Sequence, residues 1–195
     1  MIKVHCIVNS ILNSCTYILY NNEKYVYLID CGDVMPILDF VRRNNRTVKG
    51  IFLTHCHYDH IYGINQIIHH FPNTIIYGSK ETIVGLKDPK INLSKYHGES
   101  MIILENAKIN EISQSSEIQI FNQKITAIET PGHDTGCLSY QIENMLFTGD
   151  SYIPNLPVFT KWKRSEEQLA FYFEAQIKKL LLENNYTLYP GHSIK

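Results

Sequence analysis

Apolar and polar positions alternate in short blocks along the first third of the chain. Lys3–Val8, Thr16–Tyr20 and Tyr25–Asp30 are rich in β-branched and aromatic residues, the composition of strands, and the Asn21-Asn22 pair between the last two reads as a turn. Pro36 sits where a first helical turn tolerates a missing N–H, and Ile37–Arg43 continues with a helical pattern. Gly50–Thr54 is an apolar strand. Ile64–Phe71 and Lys80–Leu86 read as short helices on either side of the strand Thr74–Tyr77. Ile91–Met101 mixes Asn, Lys, His and Gly without a period, so a loop or lid is expected there.

The second half repeats the scheme. Ile118–Phe121, Lys124–Glu129, Cys137–Ile142 and Met145–Thr148 read as strands, with a hairpin turn at Glu143-Asn144. Ser165 opens a long helix, with Gln168 three residues on completing a capping box. Leu169, Phe173, Ile177, Leu180 and Leu181 give that helix one apolar face. Thr187–Tyr189 is a last short strand. The strands fall into two groups, each closed by helices. The pattern predicts an α/β (α+β) domain over residues 1–195, with two mainly antiparallel or mixed sheets packed face to face and helices outside. A doubly wound parallel sheet fits the hairpin-like neighbours less well.

Composition narrows the class. A chain of 195 residues, 44% hydrophobic and 19% charged, can bury a core without disulfide staples. Its formal net charge of -1 gives no broad footprint for nucleic acid or an anionic membrane. Cys6, Cys15, Cys31, Cys56 and Cys137 are odd in number, scattered and without a C-x-x-C pair, so free thiols are expected. The N-terminal stretch is broken by His5, Asn9, Ser10, Asn13 and Ser14 and lacks the run of about 20 apolar residues that spans a membrane. A cytoplasmic protein acting on a small molecule is expected.

The candidate chemistry gathers at strand ends. Gly50–Thr54 delivers His55, His57, Asp59 and His60 in an H-x-H-x-D-H run, imidazoles and carboxylate suited to Zn, Fe or Mn. Three more candidate ligands each follow a strand and a glycine: His133 after Thr130-Pro131-Gly132, Asp150 after Thr148-Gly149, and His192 after Pro190-Gly191. Glycines there permit the turns that aim side chains into a common cleft.

Together these motifs resemble the metallo-β-lactamase superfamily, and in style its glyoxalase II-like (hydroxyacylglutathione hydrolase-like) branch. The resemblance spans nearly the whole chain, including an early Asp30-Cys31-Gly32 turn. It implies an αββα sandwich whose metal cleft runs along one edge. It implies two divalent ions, Zn2+ foremost with Fe or Mn as alternatives. His55, His57 and His133 would hold one, Asp59, His60 and His192 the other, and Asp150 would bridge them. Asp30 would support the metal loop from behind. The expected activity is hydrolysis of a thioester, ester or lactone carbonyl by a metal-bound hydroxide, with Asp59 passing a proton to the leaving group.

Within the same superfamily, a mononuclear iron persulfide dioxygenase and a phosphodiesterase or nuclease are alternatives, and a non-catalytic metal-binding module ranks last. A zinc β-lactamase usually carries cysteine where Asp150 stands. The branch carries a further C-terminal region that grips glutathione; the sequence runs three residues past His192, so a counterpart of that region is not expected and glutathione thioesters are a less secure expectation than the chemistry. Tyr152, Lys161 and Arg164, with Lys163, are candidate substrate contacts. Trp162 is expected to pack in the core. Tyr96 and His97 are expected on a second cleft wall, His97 not as a ligand.

Overall fold

The computed structural model describes residues 1–193. Eleven strands form two mixed sheets. The first contains β1 (Lys3–Val8), β2 (Cys15–Tyr20), β3 (Tyr25–Ile29), β4 (Thr47–Phe52), β5 (Ile75–Gly78) and β6 (Lys108–Glu111), in that spatial order. β1 to β3 are antiparallel neighbours, and β3 to β6 run parallel. Parallel neighbours need crossovers. The helices α1 (Val34–Arg43), α2 (Tyr58–Ile61), α3 (Ile64–His70) and α4 (Lys80–Gly85) lie in those connections. The second sheet contains β7 (Glu117–Ile120), β8 (Gln123–Glu129), β9 (Leu138–Ile142), β10 (Met145–Gly149) and β11 (Thr187–Pro190). It is antiparallel except for the β10–β11 pair, which the long helix α5 (Glu167–Asn184) connects.

Alternation along the strands divides the core into two layers. Tyr17, Leu19, Tyr27, Phe52 and Tyr77 from one sheet meet Ile120, Ile125, Leu138, Tyr140 and Phe147 from the other. Their neighbours Ile18, Leu28 and Ile51 point the opposite way, against Ile37, Val41, Ile64 and Ile67 of α1 and α3. The two sheets are therefore packed face to face, as the strand grouping predicts.

Element ends shift by one to three residues. β3 stops at Ile29 because Asp30 takes a left-handed conformation, φ 57°. Two elements were not legible beforehand: the short α2 inside the histidine segment, and β6, a charged strand at a sheet edge. The Ile91–Met101 loop contains one 3-10 turn, Ser94–His97. The capping box at Ser165 is corrected: α5 begins at Glu167 after an N-cap Glu166 that makes no side-chain cap bond. Ser165 Oγ donates instead to the His133 carbonyl at 2.7 Å, in competition with the cap. The apolar face of α5 holds, with Ile177 buried and Leu169, Phe173, Leu180 and Leu181 half-buried. All five cysteines are free. Among the described residues, no helix is long and apolar enough to cross a membrane.

Candidate metal centre

The site forms where the C-terminal ends of β3, β4 and β10 meet. Main-chain bonds tie the two sheets together at this edge. Leu138 N donates to Thr54 O at 2.8 Å and Cys15 N to Gly191 O at 2.7 Å, and Ser14 bridges to His192. The backbone after β4 thus has little freedom. His55 and His57 follow it directly, and α2 presents Asp59 and His60 one turn later. Gly149 has φ 50°, and a Cβ there would stand 2.6 Å from Thr54 Oγ1, so the turn carrying Asp150 requires glycine.

Asp30 anchors the cluster from behind. It is 1% exposed, and its Oδ1 accepts from Thr54 N at 2.8 Å. Its Oδ2 accepts from Thr54 Oγ1 at 2.8 Å and from His60 Nδ1 at 2.9 Å. With its proton given to Asp30, the Thr54 hydroxyl accepts from His55 Nδ1 at 3.0 Å. One carboxylate thereby fixes the tautomers of two histidines.

Main-chain carbonyls fix two more. His133 Nδ1 faces Phe159 O at 2.8 Å, and His192 Nδ1 faces Leu12 O at 3.0 Å. A carbonyl can only accept, so each Nδ1 carries a proton and Nε2 is the atom that each ring turns inward, the one left to offer a lone pair to a cation. His60 Nε2 and His192 Nε2 then approach to 3.3 Å, and His133 Nε2 lies 2.9 Å from His57 Nδ1. His55 Nε2 and Asp150 Oδ1 are buried without a hydrogen bond.

Converging lone pairs are unfavourable unless a cation sits among them, and that is the donor set a divalent ion fits. The ligand atoms form three overlapping groups, each with all its atoms within 4.8 Å of one another: His55, His57 and His133; His55, His60 and Asp150; Asp59, His60 and His192. Asp150 stands between the outer two groups. Its Oδ2 is 3.4 Å from His133 Nε2 and 3.2 Å from His192 Nε2, and its Oδ1 is 3.3 Å from His60 Nε2.

The electrostatics follow burial and neighbours. Burial, then the neighbouring His60 and His57 rings, hold His55 well below the usual imidazole range. Burial, then His133, pushes His57 down to about 3. Both therefore stay neutral and able to ligate. Burial also opposes charge on His60, but Asp59, Asp150 and Asp30 together override it and hold that ring well above its usual range. Burial opposes ionisation of Asp150 too, yet His60 and His133 keep its carboxyl well below the carboxylate range.

Asp134 was not singled out in the sequence. It is 1% exposed, and burial raises its carboxyl, an effect that the guanidinium of Arg164 partly offsets. Arg164 Nη2 pairs with Oδ1 at 3.1 Å, and Gly136 N donates to the same oxygen at 2.8 Å. Oδ2 has no hydrogen bond and lies 3.8 Å from His57 Nε2, on the side of that ring facing away from His133. An aspartate just after a histidine reads as ordinary turn polarity, so no local signal marks it.

Two connected cavities open from the cluster. One, about 260 Å³, is lined by His57, Asp59, His133, Asp150 and His192 together with Leu12, Tyr58, Leu93, His97, Phe159 and Trp162. The other, about 350 Å³, shares His57, Leu93 and Trp162 and adds Asp88, Lys90, Ile91, Tyr96, Asp134, Lys163 and Arg164. Tyr96 and His97 do form a wall, and His97 is in none of the ligand groups. Trp162 is corrected from core to cleft, being 38% exposed.

The other candidate contacts change as well. Tyr152 lines neither cavity and packs under Lys178 instead, with Nζ 5.6 Å from its ring centroid. Lys161 lines a separate hollow beside Phe171. Arg164 does reach the cleft, but its guanidinium is engaged by Asp134, by Thr135 Oγ1 at 2.7 Å and by Glu81 O at 3.3 Å. Lys163 is the basic residue of that cluster that lines the cleft without such partners.

Comparison with known proteins agrees with this architecture. The metallo-beta-lactamase superfamily model matches residues 11–192. The hydroxyacylglutathione hydrolase of Citrobacter koseri is 31% identical over 135 residues, 69% of this chain and 45% of that protein. The chain thus spans about half the length of the curated relatives it matches. The BLEG-1 B3 metallo-β-lactamase superposes with a TM-score of 0.88 at 24% identity, covering 98% of this chain and 92% of that one. TTHA1623, solved in a di-iron-bound form, superposes with a TM-score of 0.79 at 18% identity, covering 98% and 93%. By fold and by family match, the chain belongs to the metallo-β-lactamase superfamily.

Proposed function

We propose that this protein is a dinuclear metal-dependent hydrolase acting on a thioester, ester or lactone carbonyl of a small molecule. The observation that carries the reading is the set of inward-facing ligand atoms, in which two outer groups flank a middle one that contains Asp150. His55, His57 and His133 would hold one divalent ion, and Asp59, His60 and His192 the other. Such ions, when bound, supply Lewis acidity that polarises a carbonyl and makes hydroxide available at neutral pH.

The chain's own residues do the remainder. Asp30, through Thr54 and directly, keeps His55 and His60 in the ligating tautomer. The carbonyls of Leu12 and Phe159 do so for His192 and His133. Asp59 Oδ2 stands 3.3 Å from His60 Nε2 and 3.4 Å from His192 Nε2, and Asp59 lines the cavity, where its carboxylate can take a proton from the attacking water and pass that proton to the leaving group.

The test is a panel of thioesters, esters and lactones offered to Zn-, Fe- and Mn-loaded protein. Hydrolysis that disappears on chelation and returns with metal supports the reading. Equal rates before and after chelation contradict it.

Asp134 should tune the site without touching substrate. Asp134→Asn keeps the shape but removes the charge facing His57 Nε2, so metal affinity should fall roughly 10- to 100-fold. Competition with a chromophoric chelator measures this, and unchanged affinity would remove Asp134 from the account.

A further inference from the structure

Large apolar side chains left in water normally scatter over a surface, and a contiguous set marks a binding site. Here five of them, Leu12, Tyr96, Leu156, Phe159 and Trp162, are 38–68% exposed and all line cavities at the ligand cluster. The Trp162 ring centroid lies 5.9 Å from those of both Tyr96 and Phe159, so the three form one aromatic wall.

This wall is tied to the metal centre by the backbone. The Leu12 carbonyl accepts from His192 and the Phe159 carbonyl from His133, so both side chains are anchored beside ligands. Leu12 stands at φ 53°, an unusual conformation for leucine, which the surrounding contacts must maintain. Charge does not dominate the cleft. Lys90 and Lys163 at its far end are accompanied by Asp88, and Arg164 is paired with Asp134.

We propose that the cleft is an acyl-chain site: the substrate of the hydrolysis proposed above carries an extended alkyl or aryl acyl group, which lies between Leu12, Phe159 and Trp162 while its carbonyl faces the histidine cluster. The inference rests on the hydrolase reading for the reaction but concerns a separate property, recognition of an apolar tail.

Trp162 is the sole tryptophan of the chain and stands in this wall, so its fluorescence reports occupancy. The experiment titrates metal-loaded protein with straight-chain carboxylates from acetate to decanoate, kept below micelle formation. They are product analogues and need no turnover. Burial of the tail predicts that Kd falls about threefold to fourfold per added methylene. Phe159→Ser and Tyr96→Ser should flatten that slope, whereas Leu182→Ser, exposed on α5 and away from the cleft, should leave it intact. No binding, no chain-length dependence, or an undiminished slope in both cleft variants overturns the proposal.

A parallel series of acyl thioesters separates the two readings. Turnover without chain-length preference overturns the acyl-chain site and leaves the hydrolase. Chain-dependent binding without turnover does the reverse.

Discussion

Asp150→Asn is expected to lower kcat/KM by about a thousandfold while leaving the fold intact, since the loss of several kcal/mol of transition-state stabilisation is that large. The substitution is isosteric, so the packing of β10 and the turn at Gly149 are unchanged. What it removes is the one negative charge that lies within 3.2–3.4 Å of His133, His192 and His60, between the outer ligand groups. Without it two cations would face each other with only the carboxylate of Asp59, on one side, to offset their charge. Bound metal should therefore fall together with activity. Full activity with full metal would mean that Asp150 does not link the two groups.

The second large effect lies in the core that holds the cleft edge in place. Phe52 is fully buried between the sheets, stacked on Tyr77 at 4.5 Å and edge-on to Tyr140 at 5.5 Å. It comes two residues before Thr54, whose backbone and hydroxyl bind Asp30. Phe52→Ala removes the ring and leaves a cavity that the flanking aromatics cannot fill without moving. Unfolding free energy should drop by roughly 3–5 kcal/mol, and the thermal midpoint by on the order of 10 °C. Denaturant titration with metal held constant measures it, and a change under about 1 kcal/mol would show that the inter-sheet layer is not packed as described.

What could be read from the sequence was local. H-x-H-x-D-H and the glycine turns before His133, Asp150 and His192 carry their meaning in adjacent residues, because a strand end and a turn suffice to aim a side chain. Strands with β-branched residues were legible for the same reason. β6 was not, since Lys108-Ile109-Asn110-Glu111 is an edge segment whose pairing with β5 is set by neighbours rather than by its own pattern.

Contacts across the fold were invisible as well. The carbonyls of Leu12 and Phe159 orient two histidines, but a main-chain oxygen has no residue signature. Arg164 read as a free cation for substrate, and only the tertiary structure brings it to Asp134 and Thr135. A lone tryptophan reads as core by default. At position 162 that prior fails because the wall it belongs to, with Tyr96 and Phe159, is assembled from two distant loops.

The central claim is a two-metal centre, and metal content tests it most directly. Metal-free protein loaded with excess Zn2+, desalted and analysed by plasma mass spectrometry should retain two equivalents per chain. Retention of one equivalent or fewer, with Asp59, His60 and His192 intact, would contradict it.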